Sequence, residues 1–597
     1  MNPIASLLRE YNYLTTMLGT LKNLSHIDPN AEFLVADEFE QLVDKYAPRT
    51  AFITKTATWT YAEFDLYANR VANWAVDLRL VPGDTVALFT RNRLEYVAIW
   101  YGLSKVGVQA ALVNDLLQGK GLAHCLAVAE TKIMLTEPGL MDAAISANSH
   151  LPEALSLWCF DGGAKGSQDF DTAISTTSVE RPTRHLRAGI TGRETLLKMF
   201  TSGTTGLPKA VKVSHVRAQR YMHSFSVATG ACKTDRMMMV LPMYHATGGL
   251  CGVGAALTVG AAVIVEQGFS ARKFWQTAAE HDATLFTYVG ELCRFLINTE
   301  TGPADTKHSI RAMLGNGLRP EVWTEFQRRF GVKTIAEFYG ATEGNVGLMN
   351  ADGQVGAMGR IPWYVKKAFN LELVAHDFET SEVVRAEDGS CVRVKLGDAG
   401  EAIGRIDPND PRFLFEGYGN AKDTKNKILT DVFEPGDRYF RTGDLMRRDR
   451  KAYYYFVDRI GDTFRWMAQN VATGEVAAVL SAFPGVQSAN VYGVEVPGCD
   501  GKAGMAAMAI NGAFDGKALY AWLEQQLPTY ARPLFLRLVE NANTTGTFKF
   551  KKTDLVAQGF ALHKTSDPVF VLDKVQKAYV ALTASLQQEI LAGSVRF

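Results

Sequence analysis

The stretch from Met199 to His215, MFTSGTTGLPKAVKVSH, concentrates more anion-binding chemistry than any other part of this chain. Thr201, Ser202, Gly203, Thr204, Thr205 and Gly206 are consecutive, and Lys209 follows closely. Glycines let backbone N–H groups turn toward an anion, hydroxyls add neutral donors, and a lysine supplies countercharge. The pattern predicts a grip for a polyphosphate. It is not a Walker A loop, because Gly203 and Gly206 are too close together, and no GxGxxG occurs elsewhere. A plain flexible loop does not account for so dense a run of Ser, Thr and Gly between strand-like segments.

Such a grip needs strands and helices to aim it. Short β-rich runs, TVALFT (85–90), KIMLTE (132–137), RMMMVLP (236–242) and AAVIVE (261–266), alternate with amphipathic stretches such as YAEFDLYANRVANWAVDL. This alternation predicts an α/β fold with largely parallel sheets covered by helices on both faces. From about 390 to 460 short strands and turns predict a smaller β subdomain, with a hairpin around Lys451–Arg459. After Asp462 helix and strand alternate again, which predicts a C-terminal α/β domain of roughly 130 residues.

With 597 residues, 47% hydrophobic and 21% charged, the chain has the composition of a large multidomain globular protein. Lys+Arg and Asp+Glu are both 63, so no net basic charge argues for nucleic-acid binding. The seven cysteines are scattered without CxxC or zinc-ligand spacing, as expected of reduced thiols in a cytoplasm. The first residues lack the pattern of a signal peptide. Gly248–Val265 is uncharged and reaches the minimum length of a membrane span. Its five glycines and the turn-like Thr258-Val259-Gly260 instead predict a small-residue helix followed by a buried strand, AVIV. Ile4, Leu7, Leu8, Tyr11, Leu14, Leu18 and Leu21 fall near helical spacing. With few basic residues for a membrane-surface helix, a helix docked on the protein is the preferred reading.

TSGTTGLPK resembles the phosphate-loop signature of the adenylate-forming superfamily, which includes the acyl-CoA synthetases. Further segments follow in the family's order. Pro242-Met243-Tyr244-His245 is similar to its proline-to-histidine motif, and Tyr339-Gly340-Ala341-Thr342-Glu343 to its adenine and magnesium motif. Tyr439–Asp444 resembles its ribose motif, Asp458-Arg459-Ile460-Gly461-Asp462 its hinge, and Thr545–Lys549 its C-terminal lysine motif. Gly315–Pro320 with Gly317, Tyr288–Glu291, Asp462–Trp466 and the tail Asp567–Asp573 resemble the fatty-acid transport protein and very-long-chain acyl-CoA synthetase branch.

The resemblance implies a large N-terminal AMP-binding domain over 1–460 and a small mobile C-terminal lid over 461–597. It also implies ATP-dependent formation of a fatty acyl-AMP, followed by transfer to coenzyme A. The expected cofactor is Mg²⁺, held by Thr342 and Glu343; a carboxylate is a hard ligand that suits it. ATP and coenzyme A are expected co-substrates. Thr201–Gly206 and Lys209 would hold phosphates, and Gly317, Tyr339, Gly340 and Thr342 would surround the adenine and phosphate region. Asp444 would bind ribose, and Arg459 would be a second ribose or phosphate contact. His245 would line the carboxylate end of the acyl site, Lys549 would bridge carboxylate and α-phosphate, and Gly461 would be the hinge. Phe286–Leu296, with Gly290, suits either an alkyl-tunnel wall or an ordinary core helix. One departure stands out: Met467-Ala468-Gln469-Asn470 replaces the branch's Lys-Gly-Glu-Asn, which bears on the coenzyme A step. The alternatives are a fatty acyl-AMP ligase that loads another acceptor and a membrane-associated fatty-acid uptake protein. Peripheral membrane contact and oligomerisation stay open within a cytoplasmic reading.

Overall fold

The computed structural model describes all residues except 1–2, 203–207, 343, 378–379, 381, 411, 418–420, 467–468, 498, 500, 541–551 and 596–597. The chain divides into two compact units. One comprises Met1–Leu318, Val322–Gly359 and Ile406–Ile428; the other comprises Arg319–Glu321, Arg360–Arg405 and Leu429–Phe597.

The first unit is built on two large sheets. In one, Thr131–Thr136, Thr85–Phe89, Gln109–Leu112 and Thr195–Ser202 lie side by side and parallel, and only Pro208–Ser214 runs antiparallel at the edge. In the other, a parallel core of Ala312–Asn316, Leu285–Val289, Arg236–Met239 and Ala262–Val265 is flanked by antiparallel edge pairs. Thr85–Phe89 and Ala262–Val265 are buried at every position, as strands covered by helices on both faces must be. The uncharged stretch resolves as expected: a buried π-helix at Thr247–Gly254, a turn of α-helix at Ala255–Leu257, then the AVIV strand. Among the described residues no helix is long and apolar enough to cross a membrane.

Local signals place the helices. Thr60 caps Tyr61–Asp77 and completes a capping box with Glu63. Ser214 caps His215–Thr229, and Gly230 in the left-handed conformation ends that helix. The helix Pro3–Leu24 packs against His215–Thr229, as expected of a docked element. The face it uses differs from the expectation. Tyr13 is buried, whereas Tyr11, Leu14, Leu18 and Leu21 of the apolar stripe are exposed.

The second unit has an antiparallel sheet of Leu371–Val374, Ala399–Arg405, Arg438–Arg448 and Tyr453–Arg459, the last two forming the expected hairpin. It also has a five-stranded mixed sheet from Val486 to Ala581, which shares one hydrophobic core with the helices Thr473–Ser481 and Gly516–Gln526. All seven cysteines are free.

Candidate active site

Strands Thr195–Ser202 and Pro208–Ser214 pair in a register that sets Thr201 opposite Lys209 and Ser202 opposite Pro208. The two ends of the predicted phosphate grip are therefore neighbours at the sheet edge. Gly203, Thr204, Thr205 and Gly206 lie outside the described residues. Most of the pair is buried: Leu196, Leu197, Lys198 and Met199 on one strand and Ala210, Val211, Val213 and Ser214 on the other, with Lys212 exposed.

The return strand runs straight into His215–Thr229, and this helix carries the second motif. Buried Arg217 donates through Nη1 to the carbonyls of Thr342 (2.7 Å) and Gly344 (3.0 Å). Its Nε lies 3.3 Å from Glu416 Oε1. Glu416 in turn accepts from Ser214 Oγ at 2.6 Å and from the Ser214 N–H at 3.2 Å. One turn on, Tyr221 Oη donates to the Ala341 carbonyl at 3.4 Å. One helix start thus ties the strand Pro208–Ser214 to the segment on both sides of position 343. Tyr339 and Gly340 end the strand Thr334–Gly340, opposite Leu348 and Gly347. Glu343 lies outside the described residues.

His245 sits in the turn that follows Arg236–Met239. Its Nδ1 accepts from the Thr247 N–H at 3.3 Å, and its own N–H donates to the Pro242 carbonyl at 3.2 Å. Buried Asn92 fixes this turn, donating to the Leu241 carbonyl and accepting from the Met243 N–H, both at 2.8 Å. Gly248 and Gly249 are needed behind it. A Cβ at either would stand 2.3–2.4 Å from the carbonyl oxygen of Pro242 or Met243.

Gly317 has φ +79°. Its N–H and that of Leu318 both donate to the buried carboxylate of Glu337, whose other oxygen accepts from Tyr288 Oη at 2.6 Å. Gly290 starts the helix Gly290–Ile297 directly against this turn; a Cβ there would lie 1.8 Å from the Gly317 oxygen. The small residue therefore serves a backbone-to-backbone contact.

In the second unit Asp444 and Arg459 are register partners on adjacent strands, with Asp444 Oδ1 3.7 Å from Arg459 Nε. Asp458, beside Arg459, is buried and ties the following turn together. It accepts from the Thr473 N–H and Oγ1, from Thr463 Oγ1 (3.2 Å) and from the Arg459 N–H (2.9 Å). Burial raises its pKa above the ordinary aspartate value. Gly461 lies in this turn, its φ is not in the left-handed region, and a Cβ would meet nothing within 4 Å. This conformation does not itself require glycine. Lys549, Met467 and Ala468 lie outside the described residues; nearby in sequence, Lys552 Nζ donates to Asp462 Oδ2 (2.9 Å) and Thr473 Oγ1 (3.0 Å).

Two family models match the chain: the AMP-binding enzyme over residues 39–391, and its C-terminal domain over 475–549. The chain belongs to the AMP-binding enzyme family. Among its relatives is the Mus musculus long-chain fatty acid transport protein 6, 38% identical over 558 residues, 92% of this chain and 89% of the relative. Another is the Homo sapiens long-chain fatty acid transport protein 1, also 38% identical, covering 93% and 87%. Solved structures share the fold. An anthranilate CoA ligase in complex with anthranoyl-AMP superposes with a TM-score of 0.76 at 20% identity, covering 89% of this chain and 98% of that one. An O-succinylbenzoate coenzyme A synthetase from Bacillus subtilis, with ATP and magnesium, gives 0.67 at 22%, covering 86% and 98%.

Four of the residues that hold the motif segments of this AMP-binding enzyme in place lie outside the motifs: Asn92, Arg217, Glu337 and Glu416. Asp458 lies inside the hinge motif, where the sequence points to its neighbour Arg459 instead. By residue type Thr342 and Glu343 offer a hydroxyl and a carboxylate, hard oxygen donors of the kind Mg²⁺ takes, and Arg217 engages the carbonyls of Thr342 and Gly344 on either side.

Glu337 sets a pH dependence. Burial pushes its carboxyl from the ordinary 4.5 up to about 8, against the opposing effect of its hydrogen bonds. The folded protein keeps a proton that the unfolded chain releases near pH 4.5, so stability falls as pH rises between those values. The slope is up to about 1.4 kcal/mol per pH unit. Glu337→Gln keeps the shape and should flatten it. Thermal unfolding of both proteins at pH 5.5 and pH 8 checks this, and parallel losses in both would remove Glu337 as the cause.

Proposed function

We infer that this enzyme is an AMP-forming fatty acid–CoA ligase acting on long- or very-long-chain fatty acids. The observation that carries the reading is the single helix start, Ser214 to Tyr221, that holds the strand Pro208–Ser214 and the 341–344 segment together. The full-length similarity to long-chain fatty acid transport proteins supports the acyl class.

In the first step a carboxylate oxygen attacks the α-phosphorus of ATP, its bond to the β-phosphate bridge breaks, and pyrophosphate leaves. Two anions must meet, so positioning and charge neutralisation dominate the barrier. Thr201, Ser202, Gly203, Thr204, Thr205, Gly206 and Lys209 hold the polyphosphate in this reading. Tyr339 offers a face to adenine, Gly317 and Gly340 give the nucleotide close backbone approach, and Asp444 accepts from the ribose hydroxyls beside Arg459. His245 lines the acyl carboxylate, and Thr342 with Glu343 would hold Mg²⁺, which supplies charge neutralisation. Lys549 bridges the carboxylate and the α-phosphate. In the second step the coenzyme A sulfur attacks the acyl carbonyl and AMP leaves.

A panel of carboxylic acids, scored for ATP- and coenzyme A-dependent AMP release, tests the assignment. Acyl-CoA from long chains supports it. Acyl-AMP that forms and stalls with coenzyme A would favour a fatty acyl-AMP ligase, and no adenylation of any acid would favour a carrier. Peripheral contact with a lipid surface belongs to the same reading, supported by the outward Tyr11, Leu14, Leu18 and Leu21; fractionation of the native protein with and without salt tests it.

The reading divides 1–460 from a lid at 461–597 that turns about Gly461 between the two steps. A glycine not required by the described turn fits a residue needed in a second backbone conformation. Gly461→Pro fixes φ near −65° and removes the N–H, and it should keep one half-reaction while losing the other. If the two half-reactions, assayed separately, stay normal or fall together, the pivot lies elsewhere.

A further inference from the structure

A second donor cluster lies in the first unit, made of residues that the adenylation motifs do not use. His26 follows the helix Pro3–Leu24, Glu38 sits in the first turn of Val35–Tyr46, and His223 lies in His215–Thr229. One ligand atom from each lies within 4.8 Å of the other two. His223 Nε2 is 2.6 Å from Glu38 Oε1, and Gln219 Nε2 donates to Glu38 Oε2 at 3.0 Å. The His26 ring stands edge-on to His223, with centroids 5.1 Å apart. Glu38 is buried, His223 half-buried and His26 exposed, so the cluster is anchored from within and open to solvent at one side.

We propose that His26, Glu38 and His223 form a binding site for a zinc-class divalent ion. Two imidazoles and one carboxylate are the donor set of a borderline-soft metal, with water in the fourth position of a tetrahedron. Magnesium, which prefers oxygen donors, does not suit it. The ion replaces the close contact between His223 and Glu38. Bond lengths of about 2.0–2.2 Å require those two groups to part slightly and the exposed His26 ring to turn inward. Gln219 acts behind the site, orienting the carboxylate as supporting hydrogen bonds do at metal centres.

The site joins His26 and Glu38, neighbours in sequence, to His223, 185 residues beyond Glu38. It pins the end of the N-terminal helix to the helix that bears Arg217 and Tyr221, and so stiffens the support of the 341–344 segment without touching substrate. An ion bound only by the folded state raises its stability by mass action.

The experiment titrates metal-stripped full-length protein with Zn²⁺ by calorimetry and follows thermal unfolding, with Mg²⁺ as a control. One Zn²⁺ per chain is expected, with a rise in Tm that Mg²⁺ does not reproduce. His26→Ala, a change at an exposed position, should weaken binding by more than about tenfold and abolish the Tm rise while folding normally without metal. His223→Gln should do the same, and Co²⁺ in the wild type should give the absorption of a tetrahedral nitrogen–oxygen site. Absence of Zn²⁺ binding, or binding equally tight in His26→Ala and His223→Gln, would overturn the proposal and leave a hydrogen-bonded His–Glu pair.

Discussion

Lys549→Ala should lower acyl-AMP formation from fatty acid and ATP by about 10²–10³-fold, the scale of losing one group aimed at developing charge. The same protein, given pre-made acyl-AMP and coenzyme A, should react at the wild-type rate, because a charge that serves the first transition state has no part in the second. Rapid-quench assays of each half-reaction separate the two. Lys552→Ala is the internal control. Its ammonium holds Asp462 and Thr473, so its loss should loosen the turn after Asp458 and lower stability, with no bias toward either step. Equal losses in both half-reactions of the Lys549 variant would refute its assigned role.

The second large effect is expected at Arg217. Its guanidinium serves two carbonyls and one carboxylate at once, a fork that lysine does not reproduce. Arg217→Lys keeps the charge and should fold, yet kcat/KM for ATP should fall about tenfold or more as the 341–344 segment loses its brace. Arg217→Ala leaves Glu416 with its Ser214 hydrogen bonds but without its cationic partner and should cost about 3–5 kcal/mol of stability, measured by denaturant unfolding. Restoring Glu416→Gln in that background should recover part of the stability and none of the activity. An Arg217→Lys enzyme with unchanged kcat/KM would show that the segment is held by other means.

The parts that read well from sequence are those encoded locally. The strand-like character of the segments on either side of the Gly-rich stretch was legible, though their antiparallel pairing was not, and the AVIV strand follows from its apolar run between a turn and Glu266. Asp444, as a ribose candidate, and Arg459, as a ribose or phosphate contact, could each be singled out because each carries its own motif, and strand pairing sets them side by side. Arg217 and Glu416 were not legible. Their meaning comes from contacts across about two hundred residues, as with the 202-residue separation of Ser214 and Glu416. Glu337 likewise reads as an ordinary strand residue until Gly317 and Tyr288 close around it. Asn92, next to the predicted strand TVALFT, was the most accessible of the missed residues, since a polar residue at the end of a buried parallel strand needs a partner. At the N-terminus the period gave the helix but not its docked face. Periodicity reports that one side is apolar, and the packing of Tyr13 and its neighbours decides which side is covered.

The close approach of Gly290 to Gly317 has a consequence for redesign. A common way to shorten the acyl chain an enzyme accepts is to fill a glycine at the end of a tunnel with a bulkier residue. Here the first added carbon would strike main chain, and the displaced turn is the one Glu337 secures. Substitution at 290 would push the Gly317 turn away from Glu337, so any redesign of this region has to work by exchanging one existing side chain for another, with this glycine kept.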